Sequence, residues 1–271
     1  MCARRPRLSK RRPAQLARRL AAASLGALAV ALLATASVGA RSLARVSAAA
    51  PTVQSMIVGS TGAILSPARA VLAAAGAVRV AGRTCAVAAG TPLAVLIALR
   101  QAGGPGFSLR DYGHCGASPA SSAELFVDSL AGEANSGQDG WEYKVDGVAG
   151  STGAADPSGP MGNGRRLRSG ERVLWFWCRA SAGGCQRTLE AAPSRSALAP
   201  GAALSVAVTG YENEGRGAPV GGAIVTLGPD SASTGADGRA RLIAPSTPGR
   251  YALGATRRGL VPSFPQTIVV A

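Results

Sequence analysis

Seven residues, Arg172 to Cys178, constrain the fold more than any other stretch. Side chains alternate along a strand, so Trp175 and Trp177 fall on one face and Leu174 and Phe176 on the other. Both faces are apolar, which suits a central strand and not a surface one. Upstream, Trp141, Tyr143 and Val145 alternate with Glu142, Lys144 and Asp146. That pattern predicts a half-buried strand with one aromatic face and one solvated face. Asp146-Gly147 is a hairpin turn signal. Six glycines (Gly147, Gly150, Gly153, Gly159, Gly162 and Gly164) then run to Arg165, and a flexible connection is the expectation there.

The remaining chain reads in short pieces. Val53 to Val58 and Val71 to Val80 are strand candidates, broken by Ser60-Thr61-Gly62 and Ala81-Gly82. Thr91-Pro92 opens a helix as N-cap and first-turn proline. Leu93, Leu96, Ile97 and Arg100 continue it at helical spacing, and Gly103-Gly104-Pro105 stops it. Glu124 to Asp128 fits a strand or a helical turn equally. Beyond Pro193 and Pro200 the short apolar sets Leu204-Val206-Val208, Ile224-Val225-Leu227, Ala240-Leu242, Tyr251-Leu253-Ala255 and Ile268-Val270 alternate with Gly/Pro/Asp turns. That spacing predicts a small antiparallel sandwich. With 36 glycines, 17 prolines and only 4% aromatic residues, the composition favours short strands and excludes a collagen, a coiled coil and a multispan membrane protein.

The first forty residues read as an export signal. Eight cations and no acid lie within residues 1–19, an uncharged stretch runs from Leu20 to Ala40, and Val38-Gly39-Ala40 offers a cleavage site. The competing reading is an uncleaved anchor, since the stretch is long enough to span a bilayer. Removing residues 1–40 takes away eight cations and no acid, so the net charge falls from +15 to +7. No basic stripe with interleaved aromatics survives, so no nucleic-acid partner is expected. Four cysteines follow the signal (Cys85, Cys115, Cys178 and Cys185), an even number that in an exported chain reads as disulfides. Three pairings are open; one closes Cys178 on Cys185 across a local turn and leaves Cys85 for Cys115.

No catalytic set emerges. His114 adjoins Cys115, but neighbours on an extended segment point apart, and the cysteine is wanted for a disulfide. There is no G-x-S-x-G, no H-E-x-x-H and no Gly-Lys-Ser/Thr after the glycine loop. Zinc spacing is missing, and Asp230 and Asp237 fit a turn better than a calcium loop. Neither metal nor cofactor is expected. Trp141, Tyr143, Trp175 and Trp177 are the aromatic concentration of the chain. Tyr143, Trp175 and Trp177 are therefore the candidate ligand contacts, against a competing reading as core.

Cys85, Gly90-Thr91-Pro92-Leu93, Phe126-Val127, Gly140-Trp141-Glu142-Tyr143-Lys144-Val145-Asp146-Gly147 and Gly170-Glu171-Arg172-Val173-Leu174-Trp175-Phe176-Trp177 come in a telling order. Over about residues 52–187 they resemble the bacterial domains of unknown function related to the C-terminal domain of transcobalamin. Family members usually carry Asn at the place of Asp146 and Gly-Asp at Gly170-Glu171, and the glycine-rich loop is a larger departure. The resemblance implies an α+β fold of the β-grasp type. In the vitamin carriers this domain closes over cobalamin with a helical barrel, and this chain has no such barrel. Residues 198–271 resemble a carboxypeptidase-regulatory or immunoglobulin-like module through Pro219 to Val225, Thr234 to Ala240 and Gly249-Arg250-Tyr251.

The expectation is a mainly β protein: a signal helix (1–40), a β-grasp-like α+β domain (41–187), a linker (188–200) and a small β-sandwich (201–271). Its expected role is non-enzymatic binding or surface interaction outside the cytoplasm, with an unknown protein or small molecule as partner and membrane contact only through an uncleaved N-terminus. The alternative is a carrier of a planar, corrinoid-like molecule on the Trp-rich domain.

Overall fold

The computed structural model describes residues 49–271, which belong to one compact unit. The expected export signal, with its cleavage site and Cys2, lies outside the described residues. No helix among the described residues is long and apolar enough to cross a membrane.

Ten strands and one α-helix make the first lobe: β1 (Thr52–Val58), β2 (Ile64–Leu72), β3 (Gly76–Val80), β4 (Arg83–Val87), α1 (Pro92–Gln101), β5 (Phe107–Asp111), β6 (Leu125–Leu130), β7 (Glu133–Ala134), β8 (Gly140–Val145), β9 (Val148–Ala149) and β10 (Arg172–Cys178). The main sheet runs β2-β1-β10-β8-β9, with β1 and β10 parallel at its centre and every other pair antiparallel. One helix packed on one face of that order is the β-grasp plan. The hairpin β3-β4 and the sheet β5-β6-β7 extend it.

Local chemistry accounts for these elements. Thr91 caps α1 by accepting from the Ala94 N–H at 3.3 Å, with Pro92 in the first turn. Asp146 and Gly147, both at positive φ, make the tight turn from β8 to β9. Glu124–Asp128, undecided from the sequence, resolves as strand: Leu125 and Val127 are buried, and Phe126 between them is exposed.

The second lobe is a two-sheet sandwich of β11 (Thr188–Pro193), β12 (Ala197–Leu198), β13 (Ala203–Tyr211), β14 (Gly217–Pro219), β15 (Ile224–Leu227), β16 (Asp230–Ser233), β17 (Arg239–Ile243), β18 (Gly249–Thr256) and β19 (Gln266–Val270). One sheet has β13 between β11 on one side and β14 and β17 on the other; the second runs β12-β19-β18-β15-β16. Leu204, Val206, Val225, Leu227, Leu253 and Ile268 fill the space between them. The stretch 188–200, expected as a linker, is instead built into this sandwich. β11 pairs with β13 from Thr188↔Tyr211 to Pro193↔Val206, and β12 pairs with β19. Pro193 misled because proline argues against a central strand; β11 is an edge, where a missing N–H costs nothing.

The two faces of β10 serve two different cores. Val173, Trp175 and Trp177 join Tyr143, Leu93 and Leu96 in the first lobe's core. Leu174, Phe176 and Cys178 turn the other way, joining Met56 and Val58 against Val261 and Phe264 of the second lobe.

Both disulfides are formed, Cys85–Cys115 and Cys178–Cys185. The first ties β4 to the segment after β5; the second closes the short turn leading out of β10. Replacing Cys85 and Cys115 together by Ser is expected to lower stability by about 3.5 kcal/mol, and replacing the local pair by about 2.5 kcal/mol, in the chain-entropy account. Urea unfolding of the two double variants checks the order.

Candidate functional site

The aromatic cluster lies inside the molecule. Trp175 is 1% exposed, Tyr143 5% and Trp177 8%, so none presents a free ring face. Their placement follows from register. Trp177 stands opposite Trp141, and Trp175 opposite Tyr143, on the face that α1 covers. Trp141 and Trp177 meet edge to face with ring centroids 5.7 Å apart, and Tyr143 and Trp175 tilt together at 5.4 Å. The Trp141 indole N–H donates to the Glu133 carbonyl at 2.8 Å. The solvent-facing aromatic pair is a different one, Tyr112 and Phe126, whose centroids lie 6.0 Å apart.

Trp175 and Tyr143 nevertheless line a cavity of about 360 Å³, bounded by Leu125 and Val127 of β6, Trp141 of β8 and the start of the glycine-rich loop. The Trp175 indole N–H is buried with no acceptor. Tyr143 donates its phenolic proton to the Thr152 carbonyl at 2.9 Å, and burial pushes its pKa up to about 12.

The glycine loop is packed against the lobe rather than being a free connection. Its Ala154 carbonyl accepts from the Leu93 N–H at the start of α1, and Ala154 and Ala155 are buried. Gly150 lies so close to the Tyr143 ring that a Cβ there would stand 2.0 Å from it, and a Cβ on Gly153 would stand 2.3 Å from the Ala123 carbonyl. Gly150 and Gly153 are required because the backbone runs hard against the lobe at both positions.

Lys144 is where the structure departs furthest from the sequence reading. The expected solvated face of β8 holds at Glu142 and Asp146, which are exposed, but the second lobe covers it at Lys144, leaving that residue 1% exposed. Its ammonium donates to the Tyr211 carbonyl at 2.9 Å, the Glu212 carbonyl at 3.0 Å and the Thr188 hydroxyl at 3.3 Å, and it stands 5.8 Å from the centroid of the Phe176 ring. Burial lowers its pKa to about 8, against the pull of Glu214 and Glu212. Asp146, on the same face, accepts from the Arg172 N–H at 3.0 Å, and Arg172 reaches across to Glu190 at 3.1 Å. Glu142 has its pKa raised by desolvation alone. Lys144 and Arg172 join the lobes, and with Asp146 and Glu190 they line a cavity of only about 30 Å³ at the junction.

A larger opening, of about 650 Å³, lies on the far side of the first lobe between β3, the end of α1 and β5. Val78, Ile97, Phe107 and Leu109 line it with Arg79 and Arg100, and the Arg100 guanidinium stands 5.9 Å from the Phe107 ring centroid. Its volume lies within the ~300–1,000 Å³ usual for ligand sites. The sequence places Arg100 on the helix but carries no signal joining it to Arg79, because nothing local brings α1 beside β3. Among the described residues, no three His, Cys, Asp or Glu side chains are grouped as a metal site would need. His114 sits beside the Cys85–Cys115 bond, and Asp237 accepts from the Arg239 N–H at 3.0 Å as a turn residue.

Fold and site together define a β-grasp domain joined to a β-sandwich, with ligand-sized openings on the first. No protein-family model matches the chain, and no curated protein matches its sequence. Among solved structures, the chain is similar to the D00-D0 domain of Intimin at 12% identity, covering 54% of this chain and 89% of that one with a TM-score of 0.26. It is also similar to the D0-D1 domain of Intimin at 10% identity, covering 80% and 97%, with a TM-score of 0.25.

Two outcomes follow from these contacts. Gly150→Ala is expected to destabilise the protein by about 1–3 kcal/mol through overpacking against Tyr143, whereas Gly183→Ala, whose Cβ would meet nothing within 4 Å, is expected to stay near wild type. Thermal unfolding distinguishes them. Lys144 has a folded pKa of about 8 and an ordinary one of 10.5. Between those values the unfolded chain holds the proton that the folded chain has lost, so stability rises with pH there and the burial penalty is full below about 8. Wild type is therefore expected to gain on Lys144→Met by on the order of 3 kcal/mol between pH 8 and 10.5. Urea midpoints measured across that range read it directly.

Proposed function

We propose that this chain is an exported, disulfide-stabilised, non-enzymatic binding protein whose first lobe carries the ligand site and whose second lobe supports it. The observation that carries this reading is how β10 uses its two faces. One is spent on the first lobe's own core and the other on the second lobe, so the lobes are held as one body. The opening beside Arg79 and Arg100 is left on the far side, away from that junction. Two disulfides in a chain of this size fit an oxidising compartment. The likeness of the Trp-x-Tyr strand to the transcobalamin C-terminal domain belongs to this proposal as a guide to the fold and not to the ligand.

A second reading, a carrier of a planar small molecule, rests on the 360 Å³ cavity and the partnerless Trp175 indole N–H. That volume suits a single small ring system and not a macrocycle. An arrayed panel of peptides, glycans and planar molecules, incubated with the oxidised chain and followed for both retention and chemical change, separates these readings. Retention of a peptide or glycan without conversion is expected. Conversion of any member overturns the non-enzymatic reading. Retention of a planar molecule alone, with a change in tryptophan fluorescence that Tyr143→Ala abolishes, moves the function to the second cavity.

A further inference from the structure

The opening between β3 and β5 is walled by two strands that each end their own sheet, so each has a free edge. Register shows which backbone groups lie on the free side of β3. Val80↔Arg83 flanks the two-residue turn Ala81-Gly82 and is a hydrogen-bonded pair, so Arg79↔Thr84 and Ala77↔Ala86 are the non-bonded pairs between. The Ala86 N–H confirms the phase, because it points away from β3 and donates to the Gly116 carbonyl at 2.7 Å. The N–H and C=O groups of Ala77 and Arg79 therefore face the opening. No backbone hydrogen bond joins β3 to β5 among the described residues.

An edge arginine alone is an ordinary device for keeping strands apart. Here a second arginine reaches the same opening from a different element, α1. Neither Arg79 nor Arg100 takes part in an ion pair or a side-chain hydrogen bond among the described residues, and no Asp or Glu lines the opening. The nearby cations Arg83 and Arg110 differ in this respect, being held by Asp111 and Asp128. The floor between is apolar, from Val78, Ile97 and Phe107. Orphan strand-edge groups, an apolar floor and two uncompensated cations are what an extended segment with alternating acidic and apolar side chains would satisfy at once.

Resting on the binding-protein reading above, we propose that this opening is a docking groove for an extended acidic peptide segment of a partner protein. The guest adds to the free edge of β3, lays carboxylates on Arg79 and Arg100, and turns apolar side chains onto Ile97 and Phe107. Paired strands lie about 4.8 Å apart, so a guest bonded to both walls would need roughly 10 Å between them. Where β3 and β5 approach within 8 Å at Cα no strand fits between them, so the guest pairs with β3 alone, along the part of its edge that lies farther from β5.

The test uses the full oxidised chain and two fluorescein-labelled hexapeptides, one alternating Glu and Val, the other Lys and Val. Anisotropy follows binding, and amide hydrogen exchange follows Ala77 and Arg79. The Glu/Val peptide is expected to saturate and to protect both amides. Its affinity is expected to fall at least tenfold in the Arg79→Gln/Arg100→Gln double variant, and the Lys/Val peptide is expected not to bind. Ala77→Pro, which removes a free-edge N–H and leaves the ladder to β4 intact, is expected to weaken binding likewise. If that variant fails to fold, the arginine variant and the exchange data decide. Equal binding of both peptides, binding without amide protection, or no saturable binding overturns the proposal. A ligand from the wider panel that the double variant still retains overturns the groove while leaving the binding-protein reading standing.

Discussion

Covering β10 twice is the constraint on which the rest of the molecule depends. A strand with tryptophans on one face and Leu174 and Phe176 on the other must exclude water from both sides. The β-grasp helix and its flanking sheets cover one face. No element of the same lobe is available for the other, and Val261 and Phe264 of the sandwich complete that cluster. The junction between the lobes is thus part of the hydrophobic core, and the second lobe is a structural requirement of the first lobe's sheet.

The same junction explains the buried lysine. Charge is expensive to bury unless every donor finds an acceptor. Lys144 meets this by reaching the end of β13, where the Tyr211 and Glu212 carbonyls point inward, and the Thr188 hydroxyl at the start of β11. Such a contact adds direction to an otherwise non-directional apolar seam. Arg172 reinforces it by contacting Asp146 within its own lobe and Glu190 across the seam. On the opposite side, the glycine loop closes over the start of α1, its small residues letting backbone approach where a side chain would collide. Both large segments expected to be loose, the glycine loop and the stretch 188–200, are held by backbone hydrogen bonds.

The openings that remain differ in chemistry. The cavity beside Trp175 is lined largely by aromatic and small residues, with the glycine loop forming one wall. The groove between β3 and β5 has charge at its mouth and strand edges for walls. Its two arginines stand 21 residues apart in the chain and are brought together because α1 packs against the β3-β4 hairpin.

Much of this was legible in the residues. Alternation at 141–145 and 172–178, the Thr91-Pro92 cap, the Asp146-Gly147 turn and the short apolar sets from 204 onward all act over a few residues, so their meaning is local and readable. An even set of cysteines pointed to disulfides in the same way, and of the three pairings it left open the structure has the one with the local bridge. What the amino-acid order determined by itself was therefore the mainly β character, the helix and the centrality of β10. Which surface covers the second face of that sheet, that Lys144 lies inside, that the tryptophans offer no free ring, and that Arg79 stands near Arg100 were decided only by tertiary structure. Each depends on residues far apart in the chain meeting across a fold, and a one-dimensional pattern records the face a side chain takes but not the neighbour it finds there.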